Sequence, residues 1–502
     1  MDCTSFTLVA GALSLLIFYL INKYSYWKKH GIPVAKGFIP LLGHLLPVIT
    51  LKCSMSEWIR KMYNDSKNCS MVGFYKLTKP VLMVREPQLT KTILQTNFGS
   101  FHQNGWAIDP ELDPLLSKNP FFCYGDMWSF GRKRITYAFS SMRLKVLFEA
   151  LKGVCKKFEN FLEKRLKTSN KYEVELKSLF SRFTGEVVAN FGLGIEGYCF
   201  EDKTRPGSMY EMEQQVFKPS MMTGIMNSIT FFAPSINKIL KVPFVSKKVD
   251  TFIRQVIAEN VVMRQKSTTP MNDFLQLMID LDKAENRKLN EDALASHACS
   301  FFVDGYETSS ITICFVGYQL AVHQDVQEKL REEVRSSVAR HNDALTFDGV
   351  KEMTYMDQVI SESQRCYPAL GFLSKVCTEE FELEGSDGLR CRVKPGTEVV
   401  IPNHGMHLDP KYWPDPEVFD PDRFDNDRKQ SIEKMTFFPF GEGPRMCVGM
   451  KIALLQMKAC LVTLMRGYKL ELSPKMQLPL KLSASHFLAA AVGGLWANIS
   501  KI

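Results

Sequence analysis

Between Phe437 and Gly449 the chain reads Phe-Phe-Pro-Phe-Gly-Glu-Gly-Pro-Arg-Met-Cys-Val-Gly, and any fold it adopts has to hold this glycine-punctuated loop, with Cys447 inside it, just ahead of a helix. The core of the loop fixes Phe440, Gly441, Gly443, Arg445, Cys447 and Gly449. At average residue usage, six such positions recur by chance in a chain of this length on the order of 10⁻⁵ times. Cys447 is thereby offered as a metal ligand. Gly441 and Gly443 permit positive φ and let backbone N–H groups come close to the sulfur. Such amides stabilise a thiolate, and the run from Met450 to Leu464 predicts a helix whose positive N-terminus points at it. Arg445 adds a permanent charge.

These residues resemble the haem-binding loop of the cytochrome P-450 superfamily, the haem-thiolate monooxygenases. The resemblance implies haem b (iron protoporphyrin IX) with Cys447 as axial thiolate and metal ligand, Arg445 on a haem propionate, and Phe440 covering the proximal face. Gly441 and Gly449 belong to the same cofactor-binding set. The implied fold is mainly α (α+β), a large helical domain with a small β-rich part, plus an N-terminal transmembrane helix. The plain alternative is a buried structural cysteine in a glycine-rich loop.

The chain of 502 residues, 45% hydrophobic, can hold two or three average domains or one large one. Its 13 cysteines include no Cys-x-x-Cys pair, which argues against a disulfide framework or a zinc site and for a reducing compartment. A net charge of +9 without a long basic run suits a membrane surface or an acidic protein partner, and not nucleic acid.

Phe6 to Ile21 is an almost continuous apolar run, close to the ~20 residues needed to cross a bilayer. Asp2 precedes it and Lys23, Lys28 and Lys29 come after it, with Tyr24, Tyr26 and Trp27 as interfacial aromatics. The positive-inside bias then puts the N-terminus in the lumen and the rest in the cytoplasm. A cleaved signal peptide is the alternative, but no basic n-region or clear cleavage site is present. Gly31, Pro33, Gly37 and Pro40 punctuate the next stretch. The expected organisation is an anchor over 1–22, a Pro/Gly linker over 23–40 and a haem-thiolate catalytic domain over 41–502. Acceptor triplets at Asn64, Asn68 and Asn498 then lie in the cytosol and stay unglycosylated.

Trp128 and Arg132 stand one helical turn apart, with Asp126 as the expected N-cap. Spacing alone favours a core tryptophan beside a surface arginine; the resemblance places both on haem propionates. From Arg205 to Lys248, Met221, Met222, Phe231, Phe232, Ile239 and Leu240 are interleaved with Lys238, Lys241, Lys247 and Lys248. That pattern suits a segment on the bilayer interface, which would also be the family's lid over the substrate channel, or a pair of core helices.

Asn290, as N-cap to Glu291 and Asp292, opens a helix predicted to run to about Val322, some 45 Å at about 1.5 Å per residue. Its middle reads Asp304-Gly305-Tyr306-Glu307-Thr308, and a mid-helix glycine costs about 1 kcal/mol relative to alanine. The resemblance supplies the reason: Gly305 makes room for dioxygen, and Glu307 and Thr308 pass protons to it, with Phe301, Gly305 and Thr308 on one face. The family often has Ala or Gly where Asp304 stands, so this carboxylate either faces elsewhere or alters the pocket.

Glu362 and Arg365 lie three apart, as do Glu328 with Arg331 and Glu332 with Arg335, which read as exposed pairs. The resemblance joins Glu362 and Arg365 to Arg423 in a buried, structural charge network behind the cysteine loop. Lys375 stands where the family usually places a propionate-binding arginine, and offers a point charge in its place. Gly371–Val376, 381–400 and Ser483–Trp496 have the character of short strands and turns, with 368–373 and 485–488 reaching toward substrate.

The motifs run in family order from Trp128 to Gly449. With the Asp-Pro-x-x-Trp-Pro-Asp-Pro-Glu run at Asp409–Glu417, they most resemble microsomal insect members. The implied function is insertion of one oxygen atom of O2 into a lipophilic small molecule at the cytoplasmic face of the endoplasmic reticulum membrane. Electrons would come from NADPH through an FAD- and FMN-containing cytochrome P-450 reductase, with cytochrome b5 as a further donor. Lys133, Arg134, Lys434, Lys451 and Lys458 are the candidate docking residues. Competing readings are a haem-thiolate isomerase or dehydratase acting on a peroxide, and a non-catalytic haem-binding protein.

Overall fold

Asn290 caps the longest described helix: its side-chain oxygen accepts the Ala293 N–H at 3.1 Å, and Glu291 and Asp292 fill the first turn. This central helix, Glu291–Val322, is 32 residues long and buried on nearly every side, as expected of a helix apolar all round. The computed structural model of the chain describes residues 3–218, 220–266 and 271–502. Helices Leu176–Val187, Lys247–Lys266, Thr354–Cys366 and Met450–Gly467 pack around the central one. Their apolar faces form one continuous core.

A second core lies under a five-stranded sheet. In chain order the described strands are β1 (Met71–Lys76), β2 (Lys79–Val84), β3 (Gln103–Asn104), β4 (Tyr172–Glu175), β5 (Leu373–Val376), β6 (Phe381–Glu384), β7 (Arg390–Val393), β8 (Glu398–Ile401), β9 (Tyr468–Leu472) and β10 (Trp496–Lys501). The large sheet runs β1-β2-β8-β5-β3, and β4-β10-β9 and β6-β7 form two smaller ones. β2 lies parallel to β8 with Leu82 opposite Val399, and β8 antiparallel to β5 with Ile401 opposite Leu373. The result is the expected mainly helical molecule with a small β part. Of Ser483–Trp496, however, only a Leu482–Ala491 bridge and the first residue of β10 are strand-like. β1 and β2, both largely buried, lack the alternation that would have revealed them.

Among the described residues no helix is long and apolar enough to cross a membrane. The first helix, Cys3–Tyr24, nonetheless exposes Leu8, Leu13, Leu15, Ile17, Phe18 and Ile21. The stretch after it is strapped onto the sheet. Trp27 is buried and donates its indole N–H to Phe74 O at 3.1 Å, and Ala35 N–H donates to Gly73 O at 2.9 Å. A Cβ on Gly73 would sit 2.3 Å from the Trp27 ring, so the strap requires glycine there.

Two local expectations are corrected. Tyr124, not Asp126, is the N-cap of helix Gly125–Ala138, and Asp126 lies in its first turn. Arg331 is not an exposed partner of Glu328: it is 2% exposed and donates to Met465 O at 2.6 Å and Tyr468 O at 2.9 Å. The Met465 carbonyl lies in the last turn of helix Met450–Gly467, where carbonyls find no partner within the helix, and Tyr468 opens β9. Arg331 does pair with Glu328, through Nε at 2.9 Å, but from the interior; Arg335 makes a looser, exposed contact with the same carboxylate at 3.6 Å.

Candidate active site

The cysteine loop folds by local rules. Gly441 and Gly443 adopt φ of 70° and 76°, and a Cβ on Gly443 would lie 1.8 Å from Leu94 O. The turn closes when Cys447 N–H donates to Phe440 O at 2.8 Å, which aims the sulfur inward, and helix Met450–Gly467 begins just beyond it. Phe440 itself packs against the helical core. Cys447 presents open surface, yet burial pushes its thiol up to about 11, opposed by the Gly449 N–H and by Arg132. A deeply placed sulfur with open surface means that space is left in front of Cys447.

In its neighbourhood three cations meet no carboxylate among the described residues. Arg132 donates to Met446 O, Lys375 Nζ to Asn104 Oδ1 at 2.7 Å, and Arg445 to Pro120 O at 2.9 Å and Cys123 O at 3.0 Å. The Arg445 guanidinium lies 4.5 Å from the Trp128 ring centre, and its Nε has no partner among the described residues. Burial, and then mutual repulsion, lowers Arg445 to about 10 and Lys375 to about 7. Burial also lowers Arg132. Unpaired buried cations are costly, so this arrangement calls for an anionic group to join them. Two propionates fit, and Arg132, Arg445 and Lys375 would hold them with Trp128 as a platform.

Asp304 of the central helix presents surface, and its charge reaches Cys447, raising the thiol. Thr308, one turn on, donates its hydroxyl to Asp304 O. Helical hydrogen bonding continues through Gly305, where an added Cβ would meet nothing within 4 Å. Phe301 turns into an aromatic stack with Phe191, Phe274 and Phe139.

Glu307, next to Thr308 in the chain, is buried in an ion-pair cluster. One residue is a step of about 100° around the helix, and Glu307 is buried on another face, 2.7 Å from Lys177 Nζ and 3.0 Å from His486 Nε2. Lys177 also holds Glu213 at 3.1 Å. Burial raises both carboxyls, but Lys177 and His486 outweigh it at Glu307 and hold it low, while Glu213 stays raised. A cavity of about 460 Å³ is lined by Lys177, Glu213 and His486 together with Ile311, Cys314 and Phe315 of the central helix.

Behind the loop, Arg365 grips Glu362 with two bonds of 2.7 and 2.8 Å, and Arg423 Nε stands 3.4 Å from the same carboxylate. Arg365 also donates to His407 O at 3.0 Å. Of the candidate docking cations, Arg134 is buried on Asp282 at 2.7 Å and Lys458 is buried with its amine on Asp357 at 2.9 Å, so neither is free to meet a partner. Lys133, Lys434 and Lys451 are exposed. Sequence reasoning missed Asn104, Asn119, Lys177 and His486. Each acts across a long separation in the chain, where spacing carries no signal.

A cysteine with open surface at a helix N-terminus, beside cations that meet no carboxylate among the described residues, is the arrangement of a haem-thiolate protein. The cytochrome P450 family model matches residues 33–496. Cytochrome P450 6j1 of Blattella germanica is 31% identical over 486 residues, covering 97% of this chain and 95% of that protein. Probable cytochrome P450 28d1 of Drosophila melanogaster is 32% identical over 503 residues, covering 99% and 98%. The chain belongs to the cytochrome P450 family, and its likeness is to insect members. It is an oxidoreductase, a monooxygenase whose cofactor is haem b with an axial cysteine thiolate.

Proposed function

We propose that the protein is a membrane-attached enzyme that inserts one atom of O2 into a lipophilic small molecule, with Cys447 as the haem ligand and electrons from NADPH through a reductase. The observation that carries this reading is the deeply placed Cys447 thiol with open surface, within charge reach of Asp304 and Arg132, in a neighbourhood where Arg132, Arg445 and Lys375 meet no carboxylate among the described residues. When bound, haem b supplies the redox chemistry and oxygen activation. The chain's own residues do the rest. The Gly449 N–H and the N-terminus of the next helix stabilise negative charge on Sγ. The three cations neutralise and orient the propionates. Thr308 Oγ1, bonded in this structure to the backbone carbonyl of Asp304, is the hydroxyl that would hold and move a proton. Glu307, tied to Lys177 and His486, anchors the central helix.

A lipophilic substrate is supported by an aromatic cluster joining the lid helix Met221–Phe232 to the loops at Phe372 and Phe487. The ring centre of Trp106 lies 5.3 Å from that of Phe231, 5.2 Å from Phe372 and 5.5 Å from Phe487. Attachment to the endoplasmic reticulum membrane, with the catalytic part in the cytoplasm, is supported by the exposed leucines of the first helix and the lysines after it. Met221, Met222, Ile239 and Leu240 on the lid are exposed as well, which suits contact with the same surface. Exposed Lys133, Lys434 and Lys451 suit docking of reductase or cytochrome b5.

Reconstitution with reductase, with NADPH consumption and mass spectrometry across lipophilic compounds as readouts, tests the reading. Products carrying one atom of labelled dioxygen are expected. Turnover of a lipid hydroperoxide without reductase, and no oxygen-dependent product from any compound, would establish an isomerase or dehydratase in its place.

A further inference from the structure

Asp304 is set apart from the other interior acids. Glu186, Asp273, Asp282, Glu307 and Glu362 each meet a lysine or arginine at 2.7 to 2.9 Å, and Asp113 accepts two backbone N–H groups. Asp304 has no cation among the described residues. Its side-chain partner is Asn119, whose Nδ2 donates to Oδ2 at 2.9 Å.

The asparagine is built for that contact. It is 1% exposed, its Oδ1 is occupied by Phe121 N–H at 2.7 Å, and its backbone carbonyl accepts Phe122 and Cys123 N–H. The amide nitrogen is thus left to fix the carboxylate by one oxygen, and Oδ1 of Asp304 has no hydrogen bond among the described residues. The side chain keeps open surface and lies within charge reach of Cys447, which is open as well. Burial without a counter-ion raises its acid to about 7. The cofactor does not supply the missing positive charge, since propionates are anions and the three cations that suit them are otherwise engaged.

Aromatic side chains continue from the Asn119 turn. Phe121 and Phe122 pack edge to face with centres 5.0 Å apart, and Phe122 stacks parallel to Phe231 of the lid at 6.5 Å. An unpaired carboxylate beside aromatic faces is the chemistry that binds a lipophilic cation, by ion pairing and by the ring quadrupoles.

We propose that Asp304 is a recognition carboxylate and that the preferred substrates carry a cationic aliphatic nitrogen, a protonated amine, on a lipophilic body. The inference rests on the monooxygenase reading, because it takes the space between Cys447 and the central helix as the substrate site. The counter-charge absent from the protein arrives with the substrate, and the free oxygen of Asp304 receives it. The family's more usual Ala or Gly at this position would leave neutral substrates favoured.

The test compares two ligands of one shape on the full-length holoenzyme: 4-phenylbutyltrimethylammonium and its neutral carbon isostere, in which a tert-butyl group replaces the ammonium. The quaternary nitrogen has no lone pair and so neither ligates iron nor titrates. Equilibrium dialysis gives both affinities, and displacement of the haem absorption band gives an independent reading. The wild type is expected to bind the cation roughly tenfold or more tighter than the isostere. Asp304→Asn, which keeps the shape and drops the charge, brings the ratio near unity. Asp304→Ala serves if the Asn variant does not retain haem. A wild-type ratio near unity, or one that either variant leaves unchanged, overturns the proposal. Oxygen-dependent product from the neutral isostere, with no preference for the cation, would sink this inference alone. A clear cation preference with no oxygen-dependent product from either compound would sink the proposed function and leave Asp304 as a cation site.

Discussion

At the scale of single residues, the site is defined by charges that lack partners and charges that have too many. Arg132, Arg445 and Lys375 meet no acid among the described residues, whereas Glu362 takes two arginines and four backbone groups bond to the trio. Glu362→Gln keeps the shape but leaves Arg365 and Arg423 buried without a charge partner. The expected loss is about 3 to 5 kcal/mol of stability, read by denaturant unfolding of the holoprotein with haem release. Glu384→Gln, at an exposed pair with Arg390, is expected to leave the midpoint where it was. Thr308→Ala removes the hydroxyl proposed to carry a proton, which here donates to Asp304 O. Hydrogen peroxide released per NADPH consumed is expected to rise at the expense of product, and equal coupling would count against a proton role for Thr308.

At the scale of elements, the short helix Asn403–His407 carries a pH limit. His404 and His407 are both buried, and burial together with nearby positive charges holds each down at about 3. His407 Nε2 accepts Phe438 N–H at 3.3 Å, a contact that requires the neutral ring and lies on the approach to the cysteine loop. A folded-state value below the unfolded value of about 6.5 means that stability is complete above about pH 6.5 and is lost as pH falls toward about 3, because the unfolded chain takes up protons the folded one refuses. At about pH 5 the loss is about 2 kcal/mol for each histidine, measurable as a falling urea midpoint, and His407→Gln is expected to flatten that slope. Much of this scale was legible in the sequence. The ends of the central helix are set by Asn290 and its acidic first turn, and the cysteine loop by its glycines, because caps and turns are local chemistry. Rotation about the helix was not legible: whether Asp304 or Glu307 looks at Cys447 is decided by Lys177 and His486, from distant parts of the chain. Arg331 and Arg134 share their spacings with surface pairs and became interior only when other helices closed over them.

At the scale of the whole molecule, two apolar surfaces remain uncovered, the first helix and the outer lid. If they share a bilayer, removing residues 1–24 weakens membrane association without abolishing it. Replacing Met222, Ile239 and Leu240 with serine in that truncated form is expected to move the protein to the supernatant of alkaline-washed microsomes. Sedimentation of the doubly altered protein with the vesicles would speak against the lid as a membrane contact. The oxygen chemistry and the substrate preference both depend on haem being held through one sulfur, although eleven other free cysteines are described. Iron K-edge X-ray absorption on the full-length holoprotein decides this directly. One sulfur neighbour per iron is expected in the wild type and none in Cys447→Ser, whereas iron with only nitrogen and oxygen neighbours in the wild type, or a sulfur that survives the substitution, would contradict the assignment of Cys447.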